Sequence, residues 1–268
     1  MRDSQARPPI LYKYLTCESA RKVLQNQTLR WSVPGDLNDP YDIQFDLQLV
    51  VDKQAVAKRV LRKLAGNSAR LKKEQAAIQQ ALTDLEQGLP PYLAEIREIM
   101  RNTKVLCLTS QPDNMLMWSH YAESYRGVVL GFGAALEVDS PWKTAQPVNY
   151  VRHMERLFDE NQLVEMMTFR LPAKIDPKIA LDRMVLTKGA IWSYEREWRI
   201  SSGAGRNRAE QFELIRFHPQ ELKQIVFGSR TSPGDHEPIV QLARPYPEVK
   251  ILQLAQSPRD FELTVREL

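Results

Sequence analysis

The chain has 268 residues, of which 43% are hydrophobic and 26% are charged, a globular composition with enough length for a sizeable core. Lys and Arg outnumber Asp and Glu by 37 to 33, a weak basic excess that permits a nucleotide or nucleic-acid partner without requiring one. Cys17 and Cys107 match no zinc or disulfide pattern, and no apolar run approaches the ~20 residues that span a bilayer. We therefore expect a cytoplasmic protein with no membrane partner.

The first part of the chain is predicted to form a strand, a helix, a second strand and a turn. Residues 10–15 are apolar and aromatic, Thr16 is a suitable N-cap, and residues 29–33 resume strand character. Residues 36–42 then contain three aspartates around Pro40. Their spacing differs from that of a calcium-binding loop, and Asx residues before proline favour a turn, so a turn is predicted here.

Residues 52–100 are predicted to form an inserted block of three helices. Their apolar positions recur at helical spacing, with one break at residues 66–68 and a third helix that begins after Pro90 and Pro91. Between residues 52 and 74 there are eight Lys or Arg and two acids. Basic faces of this kind are usually solvated, and contact with nucleic acid is the alternative.

The middle of the chain is predicted to hold two buried strands around a short aromatic helix. Residues 105–109 and 128–132 are continuous apolar runs of the buried-strand type. Residues 114–122, between them, have helical spacing and place Trp118 and Tyr121 on one face. The neighbouring His120 is more often a structural residue than a catalyst. However, the aromatic faces and polar tips of this segment suit a planar ligand as well as a core edge.

The second half of the chain is predicted to be helical at 155–170 and 177–187 and then to reach Lys188–Ile200. Its tail is predicted to contain strands at 212–217, 224–227, 249–253 and 261–265, with a helix at 237–243. Together these elements predict one α+β domain over residues 1–268. It has a mixed or antiparallel core sheet flanked by helices, and the helical insertion at about 52–100.

The segment Lys188–Ile200 has the strongest chemical signal. If it is a strand from Tyr194 onward, its side chains alternate between two faces. One face carries Glu195, Glu197 and Arg199, and the other carries Tyr194, Arg196, Trp198 and Ile200. Two acids beside a base on a rigid strand suit chemistry at a cationic centre. The simpler alternatives are a solvated ion pair between Glu195 and Arg199, or an i, i+4 pair on a helix.

The order of these segments resembles a bacterial family catalogued as domain of unknown function 2971. The matching residues are Tyr12-Lys-Tyr, Asn38-Asp-Pro-Tyr, Leu116-Met-Trp-Ser-His-Tyr-Ala, Gly127, Gly131-Phe, Lys188, Trp192-Ser-Tyr-Glu-Arg-Glu-Trp-Arg and Val226-Phe-Gly. They extend over nearly the whole chain except the 52–100 helices. The family name itself implies no chemistry.

A second, weaker resemblance is to ADP-ribosyltransferase-like folds. It is carried by the opening strand–helix–strand, the central aromatic helix and the late Glu-x-Glu. In those enzymes a first-strand His or Arg, a central Tyr or Ser and a late Glu hold NAD. The resemblance maps the first place to Tyr12, Lys13 or Tyr14, the second to Ser32 or Tyr121, and the third to Glu195 or Glu197. Neither His nor Arg occupies the opening strand, which departs from the pattern.

This resemblance implies an enzyme that cleaves the nicotinamide–ribose bond of NAD and modifies a macromolecule in stress or phage defence. Glu197 would stabilise the positive charge that builds on the ribose, and Glu195 would orient the acceptor or act as a base. Arg199 or Lys188 would hold the pyrophosphate. The other expected substrate-binding residues are Asn38, Trp118, His120, Tyr121 and Trp192, of which the aromatic ones would stack on a planar ring.

NAD is therefore the expected substrate, and no metal is expected. The alternative is a non-catalytic module that binds a nucleotide-like small molecule, or nucleic acid through the basic 52–74 helix. A hydrolase that acts on another nucleotide-like substrate is a third reading.

Overall fold

A computed structural model describes residues 6–43, 52–64, 71–135, 137–154, 160–168, 184–203, 205–247 and 249–268. The strands are β1 (Leu11–Leu15), β2 (Thr28–Ser32), β3 (Val105–Thr109), β4 (Val128–Phe132), β5 (Gln146–Pro147), β6 (Asn149–Val151), β7 (Thr187–Gly189), β8 (Glu197–Ser201), β9 (Phe212–Arg216), β10 (Leu222–Phe227), β11 (Lys250–Gln256) and β12 (Leu263–Glu267). The helices are α1 (Cys17–Asn26), α2 (Lys53–Leu64), α3 (Leu71–Asn102), α4 (Met115–Tyr121), α5 (Glu160–Thr168) and α6 (Pro233–Ala243).

The predicted α+β class is confirmed. The main sheet runs in the order β12-β11-β10-β4-β1-β3-β2-β9, with β8 on β3 and β5 on β8. Within this sheet β10 and β11 pair in parallel, whereas the other described pairs are antiparallel. A separate parallel pair joins β6 to β7. The four strands predicted for the tail are present as β9 to β12.

The main sheet divides at β3. One edge of β3 pairs with β8 along its whole length, from Val105 to Thr109. On the other edge, β1 meets β3 at Thr109 and β2 meets it at Val105. Because β1 and β2 contact opposite ends of the same edge, a gap opens over the middle of β3. Lys13 of β1 reaches across this gap and donates from Nζ to the carbonyl oxygen of Cys107 at 2.9 Å.

The two faces of the sheet are covered differently. Helices α1 and α6 pack on one face over a core that includes Phe132, Trp198 and Ile225. On the opposite face, α4 covers β1, β4 and β10 through a cluster around Trp118. Helices α2, α3 and α5 form a separate cluster with Val105 near the start of β3. The space between these last two clusters lies over the gap in the sheet, and this is where a cleft forms.

The inserted block contains one long helix where the sequence predicted two. Helix α3 continues from Leu71 to Asn102 through Pro90 and Pro91. A proline inside a helix removes a hydrogen bond, but Leu82 on one side and Ile96 on the other are both buried in the same cluster. Tertiary packing therefore outweighs the local break. The predicted break at 66–68 lies outside the described residues, as do most of the residues in the predicted helix 177–187.

Close backbone packing at Gly127 provides a test of this fold. A Cβ added to Gly127 would overlap the carbonyl oxygen of Leu15 and lie 2.9 Å from Cα of Ala122. Because backbone atoms cannot move aside on their own, we expect Gly127→Ala to lower the free energy of unfolding by about 1–3 kcal/mol in denaturant titrations. Gly234→Ala is the matched control, since the nearest atom to its Cβ is Ser232 Oγ at 3.9 Å. Equal stabilities of the two variants would contradict this packing.

Candidate functional site

Five charged side chains form a buried cluster beneath the cleft. They are Asp42, Lys188, Glu195, Glu197 and Arg199, and each is at most 5% exposed. The cluster contains three carboxylates and two cationic groups joined by salt bridges. With every group ionised it carries one net negative charge. Buried charges are costly unless they are paired, so this arrangement depends on its geometry.

Strand β8 and the turn before it bring the two glutamates together. Glu197 and Arg199 are alternate residues of β8 and share a face, while the intervening Trp198 is buried in the core on the other face. Glu195 instead comes from a 3₁₀ turn at Ala190–Glu195, and Arg196 follows with a left-handed φ of 44°. The predicted alternation is therefore right from Glu197 onward and wrong for residues 194–196, which precede the strand.

Arg199 holds two carboxylates at once. Its Nε and Nη2 donate to the two oxygens of Glu197 at 2.7 and 2.9 Å. Its Nη1 and Nη2 donate to the two oxygens of Asp42 at 2.8 and 2.6 Å, and Nη1 also donates to the carbonyl of Val185 at 2.7 Å. These bonds use all five guanidinium donors. The expectation that Arg199 holds a pyrophosphate is therefore wrong, because the side chain is enclosed and fully engaged within the protein.

Lys188 links the same acids from β7. Its Nζ donates to Glu195 Oε2 at 2.5 Å and to Glu197 Oε2 at 3.1 Å, and it lies 3.7 Å from Asp42 Oδ2. Lys188 lines the cleft, yet three carboxylates surround its ammonium. The alternative expectation, that Lys188 holds the pyrophosphate, is unsuited to a cation whose partners are already in place.

The surroundings of the two glutamates move their pKa values in opposite directions. Burial alone disfavours the charge of Glu197, but the neighbouring Arg199 and Lys188 outweigh it and lower its pKa to about 2. Burial raises the pKa of Glu195, and the opposing effects of Lys188 and Tyr121 do not cancel this rise. Two acids with pKa values pushed apart are suited to different roles. Glu197 is suited to remain ionised, and Glu195 is suited to accept a proton.

Tyr121 and Asn38 complete a hydrogen-bonded chain at the mouth of the cleft. The Tyr121 hydroxyl donates to Glu195 Oε1 at 2.6 Å and accepts from Asn38 Nδ2 at 2.6 Å. Burial and the charge of Glu195 raise the pKa of Tyr121, so its hydroxyl remains a donor. The turn that carries Glu195 is held by Thr109, whose Oγ1 donates to the Glu195 carbonyl at 2.6 Å.

The cleft above the cluster has a volume of about 270 Å³. A second cavity of about 450 Å³ adjoins it, shares Asn38 and Tyr121 with it, and also contains His120 and Trp192. The first cleft brings together most of the predicted site residues, namely Tyr12, Lys13, Tyr14, Ser32, Asn38, Tyr121, Lys188, Glu195 and Glu197.

Trp118 lies outside both spaces. It is fully buried, with its ring edge-to-face with Tyr14 at 5.3 Å and stacked on Tyr125 at 6.4 Å. Its Nε1 donates to the carbonyl of Pro112 at 2.8 Å. The expectation that Trp118 stacks on a ligand is therefore wrong, because the aromatic spacing in α4 reflects core packing.

Three residues of the site were missed in the sequence. Asp42 lies in the segment for which the sequence predicts a turn, and its partner Arg199 is 157 residues away, so no local spacing could indicate the pair. Tyr150 accepts a hydrogen bond from the backbone N–H of Glu197 at 2.7 Å. Cys107 lines the cleft, where burial and the charge of Glu197 raise the pKa of its thiol to about 12.

The basic 52–74 segment is partly paired with acids. Lys53 forms a salt bridge with Glu86, and Arg59 forms one with Glu160 at 3.5 Å, whereas Arg62 and Lys63 are exposed. Across the part of the chain that the structure describes, no group of three or more His, Cys, Asp and Glu side chains is placed to hold a metal. None of the described helices is both long enough and apolar enough to span a membrane.

Comparison with known proteins gives one family match. Residues 117–200 match the model of a family described as Protein of unknown function (DUF2971). This segment runs from within α4 into β8 and contains Tyr121, Lys188, Glu195, Glu197 and Arg199. The match therefore supports the resemblance to this family for most residues of the charged cluster. No curated protein and no solved structure shows a significant match to the chain.

Removal of the Arg199 side chain should lower the stability of the fold, because buried carboxylates would lose their cationic partner. Arg199→Met would leave Asp42 and Glu197 without their main partner, so we expect the free energy of unfolding to fall by about 3–5 kcal/mol. The control is Arg206→Met, which removes an exposed partner of Glu213 and should change stability by less than about 1 kcal/mol. Denaturant unfolding of both variants measures the difference. If Arg199→Met lost no more stability than Arg206→Met, the buried network would not be needed for stability.

Acidification should remove the contribution of Glu197. Its folded-state pKa of about 2 lies below the ordinary value of 4.5, so its stabilisation is complete above about pH 4.5 and is lost as the pH falls toward 2. We expect Glu197→Gln to be less stable than wild type at neutral pH but to lose less stability over this range. Glu262→Gln, at an exposed position, should keep the wild-type slope. Unfolding titrations at several pH values test this, and parallel slopes for wild type and Glu197→Gln would contradict the lowered pKa.

Proposed function

We propose that this protein is an ADP-ribosyltransferase-like enzyme that cleaves the nicotinamide–ribose bond of NAD and transfers ADP-ribose to a macromolecule. The observation that carries the proposal is a buried cluster of one net negative charge beneath a cleft. Cleavage of this bond builds positive charge on the ribose, as in glycoside hydrolysis. A fixed negative charge in a site of low dielectric stabilises such a transition state more strongly than the same charge in water.

The two glutamates take separate roles in this mechanism. Glu197, kept ionised by Arg199 and Lys188, supplies the negative charge that favours the electron-poor ribose. Glu195 accepts the proton of the attacking hydroxyl or amine. The C1′–nitrogen bond breaks and its electron pair leaves with neutral nicotinamide, while the acceptor atom forms the new bond to C1′. Tyr121 holds Glu195 in place through its 2.6 Å hydrogen bond.

The cleft walls suit the rest of the substrate. Tyr12 and Tyr14 of β1 and Ser32 of β2 line the cleft. Lys13 uses one N–H on the Cys107 carbonyl, and an ammonium has three donors. Lys13 is therefore better suited than Arg199 to contact the pyrophosphate. Modification of an essential macromolecule by such a site would serve stress or phage defence.

A non-catalytic nucleotide-binding module is the second candidate. The observation in its favour is that both glutamates already have cationic partners, which also suits a purely structural network. The opening strand also lacks the His or Arg of ADP-ribosyltransferase-like enzymes. A protein of this kind would bind NAD or a related nucleotide in the cleft without releasing nicotinamide.

Incubation with NAD that is labelled on its adenosine half, together with cell extract, separates these two functions. We expect nicotinamide release and labelled macromolecules, and we expect Glu195→Gln and Glu197→Gln each to lower the rate by about 10²- to 10³-fold, because each removes a charge that the transition state requires. Glu262→Gln is the matched control and should retain wild-type activity.

Circular dichroism must show that each variant is folded before its rate is compared. Tight NAD binding without nicotinamide release would favour the binding module. If the protein neither binds NAD nor releases nicotinamide with any of several extracts, both functions are contradicted.

A further inference from the structure

The second cavity is lined by aromatic rings and by a few polar groups. Trp192 and Tyr194 form one wall, with ring centroids 6.0 Å apart and planes at 39°. Ile191, which is 83% exposed, adds an aliphatic surface at the rim. Asn38 and His120 place an amide and an imidazole in the lining. Flat apolar faces with a few polar groups at the edge match the surface of a planar heterocycle.

This cavity opens beside the proposed base. Tyr121 lines both cavities, and its hydroxyl lies 2.6 Å from Glu195 Oε1. Tyr194, in its wall, immediately precedes Glu195 in the chain. Lys13, the cation suited to the dinucleotide, lines the first cleft from β1 and is not part of the lining of the second cavity. A group in the second cavity would therefore approach the reacting centre from the side of the proton acceptor, where an acceptor must lie.

We propose that the second cavity binds a nucleobase of the acceptor, and that the acceptor is a single-stranded nucleic acid. This inference rests on the proposed function for the transfer step. Stacking on aromatic side chains is the general way in which unpaired bases are held, and a base inside a duplex cannot enter such a cavity. The formal net charge of +4 is compatible with a polyanionic partner.

The transfer balances without any further reactant. A ring or exocyclic N–H of the base attacks C1′ of the ribose, and a new nitrogen–carbon bond forms there. The bond from C1′ to nicotinamide breaks, and its electron pair leaves with nicotinamide. The proton of the attacking nitrogen passes to the carboxylate of Glu195.

Binding of fluorescent single-stranded DNA and RNA oligonucleotides of mixed sequence, followed by anisotropy at one fixed salt concentration, tests the base site directly. We expect Trp192→Ala to weaken binding at least ~10-fold, because stacking is lost, and Trp192→Phe to retain most of it. The control is Phe261→Ala, which removes an aromatic side chain that is 96% exposed between β11 and β12. It should bind as wild type does.

A second measurement uses labelled NAD with the same oligonucleotides. We expect the ratio of labelled oligonucleotide to released nicotinamide to fall in Trp192→Ala. Trp192-dependent oligonucleotide binding without any nicotinamide release would support the base site and overturn only the proposed function. The base site would be overturned if Trp192→Ala bound oligonucleotides as wild type does, or if the label appeared on protein rather than on nucleic acid. It would also be overturned if Trp192→Ala lost NAD binding and oligonucleotide binding equally, because the cavity would then hold the adenine of NAD.

Discussion

The site depends on the paired hydrogen bonds from the guanidinium of Arg199 to the neighbouring carboxylates. Three carboxylates within a few ångströms of one another would repel each other strongly, and one or more would bind a proton, if Arg199 and Lys188 did not lie between them. Arg199 makes two bidentate contacts, to Glu197 and Asp42, which set both the charge and the direction of each acid. With every group ionised, the cluster keeps one net negative charge, and its three carboxylates line the cleft.

The division of the sheet at β3 explains why such a cluster can meet a ligand. A continuous sheet would place another strand along the middle of this edge of β3. Since β1 and β2 pair only with the two ends of that edge, its middle, at Cys107, has no strand partner there. The side chain of Lys13 instead donates a hydrogen bond to the carbonyl oxygen of Cys107. The helices on this face form two separate clusters, which leaves the cleft between them. The backbone pairing thus creates the opening, and side chains from distant segments line it.

Local patterns in the sequence were sufficient for the fold class and for most elements of the main sheet. Apolar runs predicted β3 and β4, and the period of two correctly separated Glu197 and Arg199 from Trp198 on β8. These signals succeed because hydrophobic periodicity reports which face of an element is buried. The same reasoning failed for α3, where packing on both sides of Pro90 and Pro91 outweighs the local break. It also failed for Trp118, since an aromatic stripe looks alike whether it packs in a core or faces a ligand.

By itself, the sequence determined that this chain forms an α+β fold and that Glu197 and Arg199 share one face of a strand. Only the tertiary structure decided what that surface is. Asp42 joins Arg199 from 157 residues away, and Arg199 becomes a buried partner of the acids rather than a contact for phosphate. The same contacts separate the pKa values of the two glutamates. The physical reason is that periodicity is a property of neighbours in the chain, whereas desolvation and Coulomb interactions depend on distances in space.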